Sequence, residues 1–219
     1  MKVKWYGHAA FLITSEAEVR VIMDPYESGG YDGMIAYGPI SNEADIATVS
    51  HDHGDHNHVA GIPGNPHVLY GPGNWNIKGL PFKGIATFHD TAHGSERGPN
   101  TIFVFEVDGV KICHLGDIGH PLGEEELVAI GPVDLLLAPV GGSPATLEPQ
   151  EMTDLIGKIQ PILVIPMHFK TPKIGFPFKP LEEFLQGKEG IRKLDAVETI
   201  VRSEELPLSQ EIWVLNHAL

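Results

Sequence analysis

The feature that most constrains this chain is a run of histidine and aspartate that directly follows an apolar segment. Residues 45–49 read DIATV, and residues 50–56 read SHDHGDH. Five of the 12 histidines lie between His51 and His67. Imidazole and carboxylate groups crowded this closely are costly to bury unless a cation lies among them. This pattern predicts a strand that ends near residue 49 and a following loop that surrounds a positive charge.

A divalent metal ion would supply that charge. Mixed imidazole and carboxylate ligands suit zinc, manganese or iron. The alternation His51-x-His53 lets two side chains reach one ion, and Asp55 and His56 can turn toward a second ion. The alternative is a solvated histidine-rich turn or an adventitious metal-binding tract. The specific spacing, together with distant candidate ligands, favours a metal site.

Those distant candidates also follow apolar segments that predict strands. His89 follows residues 85–88, Asp117 follows residues 110–115, and His168 follows residues 162–167. Together with the run after residue 49, candidate ligands follow the ends of four separate predicted strands. Such an arrangement is not expected by chance. His93 is an alternative to His89. We favour His89, because it directly follows an apolar strand.

The pattern of short apolar runs predicts many strands joined by loops. The chain has 25 glycines and 18 prolines, and most fall between these runs. Strands are predicted at residues 3–6, 10–14, 19–23, 45–49, 67–70, 85–88, 101–107, 110–114, 134–140, 162–166 and 212–215. The first three should form an antiparallel meander, and Asp108-Gly109 should close a hairpin. Helices are predicted at residues 124–130, 149–159 and 181–188. Strands with helices interspersed indicate sheets covered by helices, an α/β or α+β fold.

Composition restricts the classes of protein and partner. With 219 residues, 42% of them hydrophobic, the chain can build one sizeable core, so we expect a single domain over residues 1–219. A net charge of −14 disfavours nucleic acid and anionic membranes as partners. One cysteine excludes an intrachain disulfide, and no segment is typical of a signal peptide or membrane span. These features predict a soluble, cytoplasmic protein.

The ordered set of motifs resembles the metallo-β-lactamase superfamily. The matching elements are His51-x-His53-x-Asp55-His56, then a lone histidine, Gly116-Asp117 and Pro166-Met167-His168. The opening WYGHAAF of residues 5–11 and the Met23-Asp24-Pro25 motif are similar to one branch of that superfamily. This branch includes L-ascorbate-6-phosphate lactonase and many uncharacterised zinc-dependent hydrolases.

The resemblance implies a fold and a ligand set. The fold would be an αββα four-layer sandwich, with two mostly antiparallel sheets covered by helices and the metals at one edge between them. Two divalent ions, zinc or alternatively manganese or iron, would be held by two trios and a bridging carboxylate. The first trio would be His51, His53 and His89, the second Asp55, His56 and His168, and the bridge Asp117. His8 and Asp24 could orient such ligands from outside, or serve only as turn residues.

A dinuclear site of this kind predicts a hydrolase. Two ions can share a water and lower its pKa, so that a bridging hydroxide attacks an ester, lactone or phosphodiester of a small molecule. Asp55 and His120 are the predicted catalytic residues, because His120 lies beyond a strand end and could protonate a leaving group. The alternatives are a mononuclear iron oxygenase of the same fold and a non-catalytic metal-binding scaffold. A homo-oligomer is possible.

Overall fold

Fourteen strands, arranged in two mixed β-sheets, form the framework of the protein in a computed structural model that covers residues 1–219. In chain order the strands are β1 (Lys2–Gly7), β2 (Ala10–Thr14), β3 (Arg20–Met23), β4 (Ile46–Val49), β5 (His67–Tyr70), β6 (Gly73–Ile77), β7 (Leu80–Phe88), β8 (Pro99–Val107), β9 (Val110–His114), β10 (Leu135–Pro139), β11 (Leu163–Met167), β12 (Ile191–Lys193), β13 (Glu198–Ile200) and β14 (Glu211–Val214). The first sheet has the spatial order β13-β1-β2-β3-β4-β5. The second sheet has the order β12-β14-β11-β10-β9-β8-β7-β6.

The local strand predictions are confirmed where the sequence signals are strong. β1, β2 and β3 form the expected antiparallel meander. β8 and β9 form the expected hairpin, in which Asp108 and Gly109 both have positive φ. A second hairpin joins β6 to β7 through Lys78 and Gly79, also at positive φ. β6 was not predicted, because its sequence GNWNI contains glycine and asparagine, which are depleted in strands.

The three α-helices all lie in the second half of the chain. They are α1 (Glu124–Ile130), α2 (Pro149–Ile159) and α3 (Leu181–Leu185). α1 links β9 to β10 and α2 links β10 to β11, and both strand pairs are parallel. Crossovers between parallel strands are nearly always right-handed, and by this rule both helices are expected on one face of the second sheet. α3 stops short of residue 188, because Gly187 takes a positive φ of 72°.

The predicted sandwich of two sheets is confirmed, with two differences of detail. The sheets are mixed rather than mostly antiparallel, because helical crossovers make β9, β10 and β11 run in the same direction. The outer face of the first sheet is covered by the irregular segment 24–44 and a short 3-10 helix at Val59–Gly61, not by α-helices. No helix combines the length and apolar character that crossing a membrane requires.

The hydrophobic core explains why the first sheet is buried on both faces. A cluster of 44 buried residues includes Val3 and Phe11 of the first sheet and extends through the second sheet to α2. A second cluster of 14 residues joins Leu12 and Ile22 to Tyr37 in the outer segment. This packing fixes the two sheets against each other and brings several strand ends to one shared edge.

Candidate metal centre

The predicted ligands come together at this shared edge. β7 and β9 are both antiparallel to β8, and β9, β10 and β11 are parallel, so β7, β9 and β11 run in the same direction. His89, Asp117 and His168 therefore emerge at one edge of the second sheet. The 50–56 loop meets them from the end of β4 in the first sheet.

The chain reaches Asp117 through a tightly packed turn. Gly116 has a φ of 57°, and a side chain there would collide with Asn100 and Ser50. The Asn100 side chain is buried, accepts a hydrogen bond from the Asp117 backbone N–H at 3.0 Å, and donates to the Leu115 carbonyl at 3.0 Å. These contacts fix the direction in which Asp117 leaves the strand.

The first predicted trio is assembled. His51, His53 and His89 each offer a ligand atom, and these atoms lie within 4.8 Å of one another. Ser50 Oγ lies 2.9 Å from His51 Nδ1, so the other ring nitrogen of His51 faces the cluster. That nitrogen is buried and has no hydrogen-bond partner. His93 lies outside the group and packs its ring against Phe88.

The second predicted trio is also assembled, and His8 joins it. Ligand atoms of His8, Asp55, His56 and His168 lie within 4.8 Å of one another. The Asp24 carboxylate lies 2.9 Å from His56 Nδ1 and directs His56 Nε2 toward the cluster. Asp24 also accepts hydrogen bonds from the backbone N–H and the hydroxyl of Ser50, the residue beside His51. One buried carboxylate therefore orients histidines of both trios.

Asp117 lies between the two trios. Its Oδ2 is 3.5 Å from His89 Nε2, 3.3 Å from His56 Nε2 and 3.0 Å from His168 Nε2. Burial would raise the pKa of Asp117, but the adjacent His168 and His56 outweigh it and hold the pKa well below the usual value. A permanently ionised carboxylate that reaches both trios is suited to bridging two cations.

The donor set fits divalent metal ions. Several buried polar atoms have no hydrogen-bond partner within the protein, among them His51 Nε2 and Asp117 Oδ1. Buried polar groups are almost always hydrogen-bonded or bound to an ion, so unpartnered atoms that converge on one point indicate a missing partner. Imidazole nitrogens and carboxylate oxygens are the ligand types that zinc, manganese and iron accept.

A cavity of about 260 Å³ opens beside the cluster. Its walls include candidate ligands from both trios. Arg97 is the only lysine or arginine among the residues that line the cavity. Tyr31 and Phe176 pack edge to face, with ring centroids 5.3 Å apart, and form an aromatic wall. The Asp90 carboxylate accepts hydrogen bonds from the backbone N–H groups of residues 92, 94, 96 and 97, which fixes the loop that carries Arg97.

His120 does not join the cluster. Its Nε2 accepts a hydrogen bond from the Phe88 backbone N–H at 3.1 Å, and its Nδ1 lies 2.9 Å from the Pro121 carbonyl. In this tautomer Nε2 accepts from the backbone and the proton on Nδ1 is donated to a backbone carbonyl. The side chain therefore has no proton that it could deliver into the cavity. The geometry therefore gives no support to the predicted catalytic role of His120.

Three residues that hold the candidate ligands in position were not predicted from the sequence. Ser50 and Asn100 carry no charge, and their roles come from contacts with distant segments, which the sequence alone does not show. Tyr31 donates a hydrogen bond to Asp55 Oδ1 at 3.1 Å. It lies in the glycine-rich loop 29–38, whose length is typical of segments that border sites. That signal pointed to the loop but could not select the tyrosine.

Comparison with known proteins shows which family the chain belongs to. A sequence profile described as a Beta-lactamase superfamily domain matches residues 2–168. The chain belongs to the metallo-β-lactamase superfamily. A UPF0173 metal-dependent hydrolase of Thermococcus onnurineus is 30% identical, over 78% of this chain and 85% of the relative. The chain therefore belongs to the metal-dependent hydrolases of this superfamily.

A solved structure agrees with this placement in the superfamily. The chain is similar to a Thermotoga maritima protein assigned to the zinc-dependent hydrolases of the metallo-β-lactamase superfamily. That protein is 33% identical, with a TM-score of 0.80, and the match covers 98% of this chain and 97% of the other. The superfamily predicted from the sequence is thus confirmed. The likeness to the lactonase branch stays a prediction.

Proposed function

We propose that the protein hydrolyses an ester, lactone or phosphodiester bond in a small molecule, using two divalent metal ions held side by side. The observation that carries this proposal is the position of Asp117 Oδ2. It lies within 3.5 Å of imidazole nitrogens from both trios. A single-ion site would need only one trio, whereas a carboxylate oxygen within reach of both trios is suited to a pair of ions.

Different residues at this site would bind the metal ions and position the attacking water. Two zinc ions bound there would lower the pKa of a shared water and polarise the oxygen of the bond under attack. His51, His53 and His89 would hold the first ion, and Asp55, His56 and His168 the second. Asp55 also faces the cavity, where its carboxylate can accept a hydrogen bond from the attacking water. Tyr31, through its hydrogen bond to Asp55 Oδ1, would hold that carboxylate in place.

The cavity supports a small substrate with an anionic group. A volume of about 260 Å³ is slightly below the usual range for ligand pockets, about 300–1,000 Å³, so it suits a small metabolite. Arg97 places a guanidinium at the rim, and guanidinium groups bind carboxylates and phosphates in a bidentate manner. The aromatic wall of Tyr31 and Phe176 would pack against an apolar part of the substrate.

The test is hydrolysis of a substrate panel by metal-free and zinc-loaded protein. The panel contains nitrophenyl esters, lactones and phosphodiesters, each with and without a carboxylate. We expect hydrolysis only after zinc is added, with a preference for the carboxylate-bearing members. A panel that remains unhydrolysed by fully loaded protein would contradict the proposal.

A substitution at His168 separates this function from single-ion iron chemistry. His168 has a φ of 53°, which asparagine tolerates better than alanine, so His168→Asn is the appropriate change. We expect this variant to keep one ion and lose hydrolysis. The matched control is His67→Asn, because His67 is exposed and lies outside the centre. Iron-dependent oxygen consumption that survives in His168→Asn would overturn the hydrolase assignment.

A further inference from the structure

His8 occupies a tightly fixed position beside the second trio. It lies in the turn between β1 and β2 and is 1% exposed. Its carbonyl oxygen accepts hydrogen bonds from Trp5 Nε1 and from the His168 backbone N–H, both at 3.1 Å. Its φ of 52° lies in the left-handed region, where histidine is uncommon. The backbone of His8 is therefore tied directly to that of a candidate ligand.

The side chain of His8 points at the second trio. Its Nε2 is 3.1 Å from Asp55 Oδ2 and 3.2 Å from His56 Nε2. Its ring centroid is 4.2 Å from that of His168. The side chain thus contacts every member of the second trio and none of the first. No fourth histidine joins His51, His53 and His89 in the same way.

These separations match the spacing of atoms in a metal coordination shell. Two ligand atoms about 2.1 Å from one ion are about 3.0 Å apart when they subtend 90°, and about 3.4 Å apart in a tetrahedron. The distances from His8 Nε2 to Asp55 Oδ2 and His56 Nε2, 3.1 Å and 3.2 Å, lie between these two values. Separations of this size suit ligand atoms that share one ion, and zinc can take five ligands as well as four.

We propose that His8 binds the second metal ion directly through Nε2, as a further protein ligand beyond Asp55, His56, His168 and the bridging Asp117. This inference depends on the two-ion centre of the proposed function. It gives the second ion a larger protein shell than the first. The competing arrangement is a hydrogen bond from His8 Nε2–H to Asp55 Oδ2. The two arrangements differ in the position of one proton, because a ligating Nε2 requires the proton to be on Nδ1.

The decisive measurement is nitrogen NMR of ¹⁵N-histidine-labelled protein loaded with ¹¹³Cd. We expect His8 Nε2 to show scalar coupling to cadmium and no attached proton, so that six imidazoles are coupled in all. A proton on His8 Nε2 with no cadmium coupling, and five coupled imidazoles, would overturn the inference and leave the proposed function intact. A protein that binds no cadmium or zinc would overturn the proposed function and this inference together.

The His8→Asn variant assigns the signal and adds an affinity measurement. Asparagine tolerates the positive φ, but its side chain is too short to reach the ion. We expect the Kd for the second zinc to rise by more than about a hundredfold, beyond the 10- to 100-fold loss typical of an outer hydrogen-bond partner. The Kd for the first zinc should not change. A rise of less than about tenfold would contradict direct ligation.

The matched control is His217→Asn. His217 packs against Trp5 and Tyr37 close to the same turn but belongs to none of the ligand groups. We expect it to leave both zinc affinities unchanged. If His8→Asn fails to fold, the count of six or five coupled imidazoles in the natural protein still decides the inference.

Discussion

Asp24 offers a sharp test of how the two trios are held. It is fully buried and accepts hydrogen bonds from the Ser50 N–H and hydroxyl, and its Oδ2 lies 2.9 Å from His56 Nδ1. Asp24→Asn keeps the size of the side chain but replaces one acceptor oxygen with an NH₂ group. If that group donates to His56 Nδ1, the imidazole proton must move to Nε2, the nitrogen that faces the second trio.

The expected loss follows from this tautomer change. Removal of the outer partner of a metal-binding histidine lowers metal affinity by about 10- to 100-fold. That loss is about 1.4–2.7 kcal/mol, since each tenfold change is about 1.4 kcal/mol. Because the Ser50 hydroxyl also contacts His51 Nδ1 at 2.9 Å, we expect a weaker effect on the first ion as well. The metal-free protein should lose about 1.5–3 kcal/mol of stability, because hydrogen bonds to a charged group are weakened.

The assay is zinc competition with a chromophoric chelator, alongside urea unfolding of the metal-free protein. Asp52→Asn is the matched control, because Asp52 is exposed and bonds only to Asn57 Nδ2. We expect this control to leave both quantities within error. If Asp24→Asn folds and binds two zinc ions as tightly as the natural protein, the orienting role assigned to Asp24 is refuted.

Two further substitutions and one chemical modification probe other parts of the structure. Asp117→Ala should leave about one bound metal equivalent instead of two while the fold is retained, as measured by elemental analysis and circular dichroism. Asp90→Ala should speed amide exchange at residues 92, 94, 96 and 97, because the change removes their common acceptor; unchanged protection would contradict this. Burial raises the pKa of the Cys113 thiol, so thiol reagents should react only after unfolding.

The sequence predicted the features that local pattern controls. Apolar runs located the strands that position the candidate ligands, and His89, Asp117 and His168 do follow strand ends. His89 rather than His93 joins His51, because His89 follows directly from β7 while His93 lies in the loop beyond it. In each case the signal is carried by a few neighbouring residues.

The sequence could not predict features that depend on packing between distant segments. Asn100 matters because β8 lies against the turn at Gly116, and no local pattern encodes that contact. Tyr31 reaches Asp55 only because segment 24–44 folds back over the first sheet. The parallel order of β9, β10 and β11 follows from the direction of the helical crossovers, which short apolar runs do not reveal.

The central claim is that two adjacent metal ions drive hydrolysis in this protein. The most direct measurement is elemental analysis of zinc-loaded protein after removal of excess metal, paired with turnover of a hydrolysable substrate at each stage of zinc titration. We expect about two equivalents of zinc per chain, with hydrolysis that rises only as the second equivalent binds. Full hydrolytic activity at one equivalent or less would contradict the two-ion centre.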